Sequence, residues 1–260
     1  MHEKMTTAEL LTIAIEIGQQ MLESGAEIYR VEESIGRICI AYGAADTHVY
    51  AVPTSIIATV ARPGEPPLTR TRRIRARGID LDRLDRLNSL CRAICAQPMS
   101  ESEVRGELVR IAARPDYPTW VLRLSFGTVA GLFTLLFGGD LRGAILAFGI
   151  GLCLKITLDA LERMQVNNLF ANIVGGALIA ILAVSGSRTG LIDSYDRVIV
   201  GSIMTMVPGL AITNSMRDLI AGDSIAGMTK FTEALLVAAG IAIGVALPLS
   251  ALHLWKGLGI

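Results

Sequence analysis

The sequence has no surplus of either charge and is short of cysteine and histidine, and each shortage closes off a class of function. Its 24 Lys/Arg residues balance 24 Asp/Glu, so the basic excess that a nucleic-acid partner requires is missing. The four cysteines are Cys39, Cys91, Cys95 and Cys153. They lie in helical or apolar contexts, which predicts reduced thiols. Cys91 and Cys95 share one helix face, but no further cysteine or histidine completes a zinc pattern, so core packing is expected there and no metal. The polar N-terminal part holds only His2 and His48 of the three histidines. It has no G-x-S-x-G, so a Ser-His-Asp system is poorly supported. H-E-x-x-H and P-loop signatures are missing as well. The remaining enzyme reading, an intramembrane protease, would rest on Asp159 with Asp218 alone. The sequence therefore argues against an enzyme and against a cofactor. A secretory signal is also lacking, because Leu10 to Ile17 is interrupted by Thr12 and Glu16 and no cleavage site follows. The N-terminal part is expected to remain in the cytoplasm.

What is present changes character near Pro115. Hydrophobic residues make up 52% of the 260, and the mean hydropathy is +0.51, too high for an ordinary soluble protein. Residues 1–118 hold 15 of the basic and 16 of the acidic side chains. From Thr119 onward apolar segments of bilayer-crossing length follow one another. The expected architecture is a cytoplasmic α+β head (1–115) followed by a membrane α-helical, five-span transmembrane bundle (119–254).

In the head, Thr6 with Glu9 predicts a capping box and a first helix with Leu10, Ala14, Ile17 and Met21 inward. A second helix carries Ile28, Val31, Ile35, Ile38 and Tyr42 at 3–4 spacing and stops at Gly43. Strand-like runs follow at 48–52, 55–61 and 68–74, the first two separated by Pro53. Asp80 caps one further helix, and Ser100 with Glu103 caps another, giving the order α-α-β-β-β-α-α. Arg70, Arg72, Arg73, Arg75 and Arg77 form a basic cluster. It reads either as a site for anionic headgroups or acidic metabolites, or as a charged strand edge protected from aggregation; Asp80, Asp82 and Asp85 partly cancel its field and favour the second.

The spans are expected at 119–138, 141–161, 169–186, 195–213 and 231–252. Arg110, Arg114, Arg163, Arg217 and Lys230 would face the cytoplasm, against Arg142, Arg188, Arg197 and Lys256 outside, a small margin in the expected direction. Gly127/Gly131 and Gly240/Gly244 have GxxxG spacing, which permits close helix packing. Polar residues gather at the cytoplasmic ends of the spans: Lys155, Asp159, Glu162, Asn167, Asn168, Asn172, Thr213, Asn214, Arg217, Asp218 and Glu233. A bilayer tolerates such groups when they pair or face a wet cavity. Pro208-Gly209 can open the backbone of the fourth span, as solute sites in transporters often require. Arg217 can meet a carboxylate by a bidentate pair, and Asp159 or Glu233 can carry a coupling proton. Against this stand plainer readings. Arg217, Asp218 and Lys230 snorkel at the interface, Asn168 and Asn172 bond helix to helix, or Lys155 and Asp159 form a structural ion pair.

Three stretches, MLESGAEIYRVEESIGRI at 21–38, NNLFANIVGG at 167–176 and VPGLAITNSMRDLIAGDSIAG at 207–227, resemble the threonine/serine exporter (ThrE) family over nearly the whole chain. The resemblance implies functional positions at Gly25, Glu27, Tyr29, Arg30 and Glu32 in the head. It implies others at Asn172, Gly175, Pro208, Gly209, Thr213, Asn214, Arg217, Asp218 and Asp223. Glu27, Tyr29, Arg30 and Glu32 would either line a cytoplasmic entrance or only pack and pair. The resemblance further implies a secondary exporter of small carboxylate metabolites in the bacterial inner membrane. In its split form, a smaller YjjB-like membrane subunit completes the exporter, and a homo-oligomer is possible. Split members are associated with succinate, which makes a dicarboxylate the expected cargo; threonine or serine is the alternative, and a sensor or scaffold the third. A dicarboxylate would favour two cationic contacts such as Arg217 with Lys155. An amino acid needs a cation and an anion, such as Arg217 with Asp218 or Asp159.

Overall fold

The computed structural model describes residues 5–75, 78–115 and 117–257, with side chains through Leu252. Arg77 and His2 lie outside the described residues, as does the side chain of Lys256. The chain divides into two compact units, Met1–Pro115 with Ile212–Phe231, and Asp116–Ala211 with Thr232–Ile260.

The first unit has the expected order: α1 (Thr7–Glu23), α2 (Ile28–Ala41), β1 (Asp46–Val52), β2 (Ser55–Ala61), β3 (Leu68–Arg73), α3 (Leu81–Ala96) and α4 (Glu101–Ala112). Both capping boxes form, Thr6 with Glu9 and Ser100 with Glu103, and Asp80 accepts the Arg83 N–H at the start of α3. The strands make an antiparallel sheet in the order β1-β2-β3. Val52 pairs with Ser55, so Pro53-Thr54 is a two-residue hairpin turn. β2 turns Ile56, Ala58 and Val60 inward. α1 is more deeply enclosed than a one-faced helix, since Leu11, Ile13 and Ile15 are buried along with the expected stripe. β3 is an edge strand with exposed arginines, which fits the protective reading of its charge. Cys39 and Cys91 are buried, and burial pushes both thiols up to about 12. Ala226, from the 212–231 segment, belongs to the same apolar core.

The second unit contains α5 (Thr119–Leu136), α6 (Leu141–Arg163), α7 (Asn168–Arg188), α8 (Tyr195–Ile203), the start of α9 (Gly209–Ala221) and most of α10 (Ser224–Gly257). Glycine sets the helix approach. A Cβ at Gly151 would fall 2.5 Å from the Phe126 carbonyl oxygen, and one at Gly176 would fall 2.7 Å from that of Ile241. Gly127 and Gly244 face Phe148 and the Ile173 carbonyl in the same manner, so both GxxxG pairs lie at close contacts.

Five spans were expected, the fourth able to open at Pro208-Gly209; among the described residues four helices are long and apolar enough to cross a membrane, at 119–136, 141–163, 168–188 and 224–252. The expected fourth span is two shorter helices, α8 and α9, with a break at 204–208. Proline explains it: Pro208 has no N–H to give, and its ring disfavours helical backbone at Val207. Turn bonds replace the ladder, from Met206 N–H to Ile203 O at 2.8 Å and from Gly209 N–H to Val207 O at 2.8 Å. α10 starts at Ser224, earlier than the expected 231, and carries Pro248 within it.

Candidate functional site

In the second unit Lys155, Asp159 and Glu162, spaced four and three residues apart, share one face of α6. Lys155 and Asp159, one turn apart, pair at 2.8 Å, and Arg123 of α5 approaches the same carboxylate at 3.5 Å. The Lys155 ammonium also lies 5.4 Å from the Phe126 ring centroid, a cation–π contact. This is the ion pair the spacing predicted, with a second cation that it did not. Arg123 had a signal, a lone charge near the start of an apolar span, but nothing local says which carboxylate it meets.

One turn further on, the end of α6 opens on a cleft. α6 ends at Met164, and Gln165 takes a left-handed conformation (φ 54°), uncommon for a residue with a Cβ. Val166 N–H then reaches back to Leu161 O at 3.1 Å, and the Asn167 side chain accepts the Leu169 N–H at 2.8 Å to start α7. This tight turn sets Glu162, Gln165, Asn168 and Asn172 around a cleft of about 560 Å³, whose apolar walls include Leu158 and Val237. Asn172 Nδ2 donates to Asn168 O at 2.8 Å, leaving its amide oxygen available. Glu162 and Gln165 were not among the expected site residues. Glu162 was visible as a charge one turn beyond Asp159; Gln165 required the turn geometry.

In the first unit, residues 212–231 bring most of the 207–227 stretch against the 21–38 stretch. Gly25 turns the chain after α1 with φ +92°, a conformation that glycine adopts freely. Its carbonyl accepts from Asn214 Nδ2 at 3.4 Å. Glu27 stands at the N-cap position of α2 but makes no capping bond; its buried carboxylate meets Arg30 Nε at 2.5 Å and pairs with Arg217. Asp218 is 0% exposed and is held by Lys230 at 2.7 Å. Lys230 also donates to the Ala26 carbonyl at 3.3 Å. Asp218 and Lys230 are thus enclosed, which removes the interfacial snorkelling reading for this pair. Thr213 lies in α9, Gly209 begins it, Pro208 sits in the break and exposed Glu233 lies on α10. Tyr29 accepts from Arg30 Nε at 3.1 Å.

Glu32 accepts the Ala51 N–H at 2.7 Å. Burial, joined by the neighbouring Asp223 charge, pushes its carboxyl up, with the Ala51 bond opposing. Asp223 is raised by burial and by Asp218, with Lys230 opposing. A carboxyl raised on folding favours its protonated form, so its ionisation costs stability as pH rises from the ordinary carboxylate range through the raised value. Glu32→Gln keeps an acceptor for Ala51 and removes that cost. The variant is expected to melt a few degrees above the parent at pH 7 and level with it at pH 4. An equal or lower melting temperature at pH 7 would contradict the assignment.

The family described as "Putative threonine/serine exporter" (ThrE) matches residues 12–252. The chain belongs to this family. A "Probable threonine/serine exporter" of Mycobacterium tuberculosis is 24% identical over 249 residues, covering 95% of this chain and 47% of that protein. The "Threonine/serine exporter" of Corynebacterium glutamicum is 25% identical, covering 92% and 50%. The "Pheromone-regulated membrane protein 10" of Kluyveromyces lactis is 26% identical over 176 residues, covering 65% and 18%. This ThrE-family chain therefore spans about half the length of the exporters it matches. No solved structure matches it. These names overturn the expectation of a dicarboxylate cargo.

Proposed function

We propose that this chain forms part of an exporter of threonine and serine in the bacterial plasma membrane, with its N-terminal unit on the cytoplasmic side. The carrying observation is the chemistry of the α6–α7 cleft. Its lining holds one carboxylate and three amides and no lysine or arginine. A dianion would meet repulsion there without compensation. A hydroxy amino acid meets complementary groups: Glu162 for its ammonium, amide N–H groups of Gln165 and Asn168 for its carboxylate, and the Asn172 amide oxygen for its hydroxyl. Val166 and Val237 give the threonine methyl an apolar wall.

On this reading α8 and the segment up to Ala211 make a broken fifth crossing, and the non-helical turn at 204–208 borders the solute path. A second membrane portion completes the pathway, supplied by a YjjB-like subunit. That fits a chain covering 47–50% of the exporters it resembles.

Cells preloaded with labelled threonine, serine or succinate and expressing the chain with that subunit provide the test. Threonine and serine efflux at several times the rate of vector controls is expected, with succinate at the control rate. Succinate efflux, or no efflux of either amino acid from an assembled complex, would refute the proposal.

A further inference from the structure

Within the first unit, α2 and α3 leave between them a second cleft, of about 420 Å³, far from apolar in character. α2 contributes Tyr29, Arg30, Ser34 and Arg37, and α3 contributes Asn88 and Arg92. The buried stripes of the same helices, Val31, Ile35 and Ile38 on α2 and Leu87, Leu90 and Ile94 on α3, face the core, so these polar positions are a separate face. Glu33 is the one carboxylate in the lining, and it pairs with Arg37 at 2.6 Å. Arg30 shares the Glu27 carboxylate with Arg217. Arg92 donates to the neutral Ser89 hydroxyl at 2.8 Å. Three guanidiniums against one carboxylate leave the cleft with an excess of positive charge.

Guanidinium forks match phosphate oxygens bidentately. Arg30 and Arg37 stand about 10 Å apart along α2, two helical turns, and the cleft volume lies in the range of small-molecule sites, about 300–1,000 Å³. We propose that this cleft binds a phosphate-bearing anion of mononucleotide size. Arg37 and Arg92 hold the phosphate, Ser34 donates to it, and Tyr29 and Asn88 meet the attached organic group. The site is separate from the α6–α7 cleft and gives the exporter a means of responding to a metabolite it does not carry. The same phosphate chemistry occurs on an anionic lipid headgroup, and the experiment distinguishes the two sources.

Cys95 is exposed and lines this cleft, whereas Cys39 and Cys91 are buried, so its alkylation reports occupancy. The full chain in phosphatidylcholine nanodiscs would be treated with N-ethylmaleimide, and modification of Cys95 followed by mass spectrometry, with its rate in buffer without added anion as reference. Millimolar AMP is expected to slow Cys95 at least five-fold relative to that reference rate, and inorganic phosphate less. Slowing by phosphatidylglycerol nanodiscs without nucleotide would assign the phosphate to a headgroup. Arg37→Glu/Arg92→Glu should abolish protection while the melting temperature holds; if that variant melts early, Arg92→Gln should weaken protection in its place. No slowing by AMP, phosphate or phosphatidylglycerol, or undiminished slowing in the variants, would overturn the proposal.

Discussion

Lys230→Met should lower the melting temperature of the purified protein by on the order of 10 °C. Lys230 is the cation paired with Asp218, a carboxylate with no exposed surface. Removing one member of a buried pair strands the other charge in a medium that solvates it poorly, which costs about 3–5 kcal/mol. A typical domain has only about 5–15 kcal/mol in total. The loss extends to the Ala26 carbonyl, which Lys230 also serves, next to the Gly25 turn and the Glu27 carboxylate. Asp218→Asn on the Lys230→Met background removes the stranded charge and should recover at least half of the loss, a coupling expected of contacting residues. Lys230→Met melting within about 2 °C of the parent would show that the pair contributes nothing to the unit.

Much of the fold was legible because its determinants are local. Thr6 with Glu9 and Ser100 with Glu103 are three residues apart, so both capping boxes could be read directly. The alternation in β2 and the helix stripes carry the sheet and core by periodicity alone. The apolar runs revealed four long helices, but hydropathy could not separate the broken α8–α9 pair from a continuous span. Pro208-Gly209 marked where the chain opens without saying that both sides become short helices. The start of α10 was missed because Ser224 to Lys230 has few large apolar residues and looks like a loop. Individual site residues were also visible, as charges in apolar surroundings. Their partners were not, because Glu27 with Arg217 and Asp159 with Arg123 are tertiary pairs that no spacing encodes. Glu162 and Gln165 gained their place from the left-handed turn at Gln165, a backbone event with no clear sequence mark.

Glu162→Gln should reduce threonine efflux about 10- to 100-fold at unchanged membrane abundance. Glu162 is the only carboxylate in the α6–α7 cleft, so it is the one group there that can pair with an ammonium. A hydrogen bond to a charged group is worth about 1.5–3 kcal/mol, and each 1.4 kcal/mol is a factor of ten. The side chain is exposed on the cleft wall, so stability should move by no more than about 0.5 kcal/mol. Glu162→Asp keeps the charge at shorter reach and should retain part of the rate. Asn172→Ala acts differently, because it removes the amide oxygen proposed to meet the substrate hydroxyl. It should impair serine and threonine export while leaving the ammonium pair intact, and its effect should combine with that of Glu162→Gln less than additively if both touch one bound molecule. Lys155→Met/Asp159→Leu serves as the contrast. It replaces the ion pair one to two turns before Glu162 on α6 by apolar groups and takes from Arg123 its carboxylate, so membrane abundance is measured alongside efflux. Efflux surviving that replacement but lost in Glu162→Gln would put the substrate in the cleft, and the reverse pattern would put it at the Lys155–Asp159–Arg123 cluster.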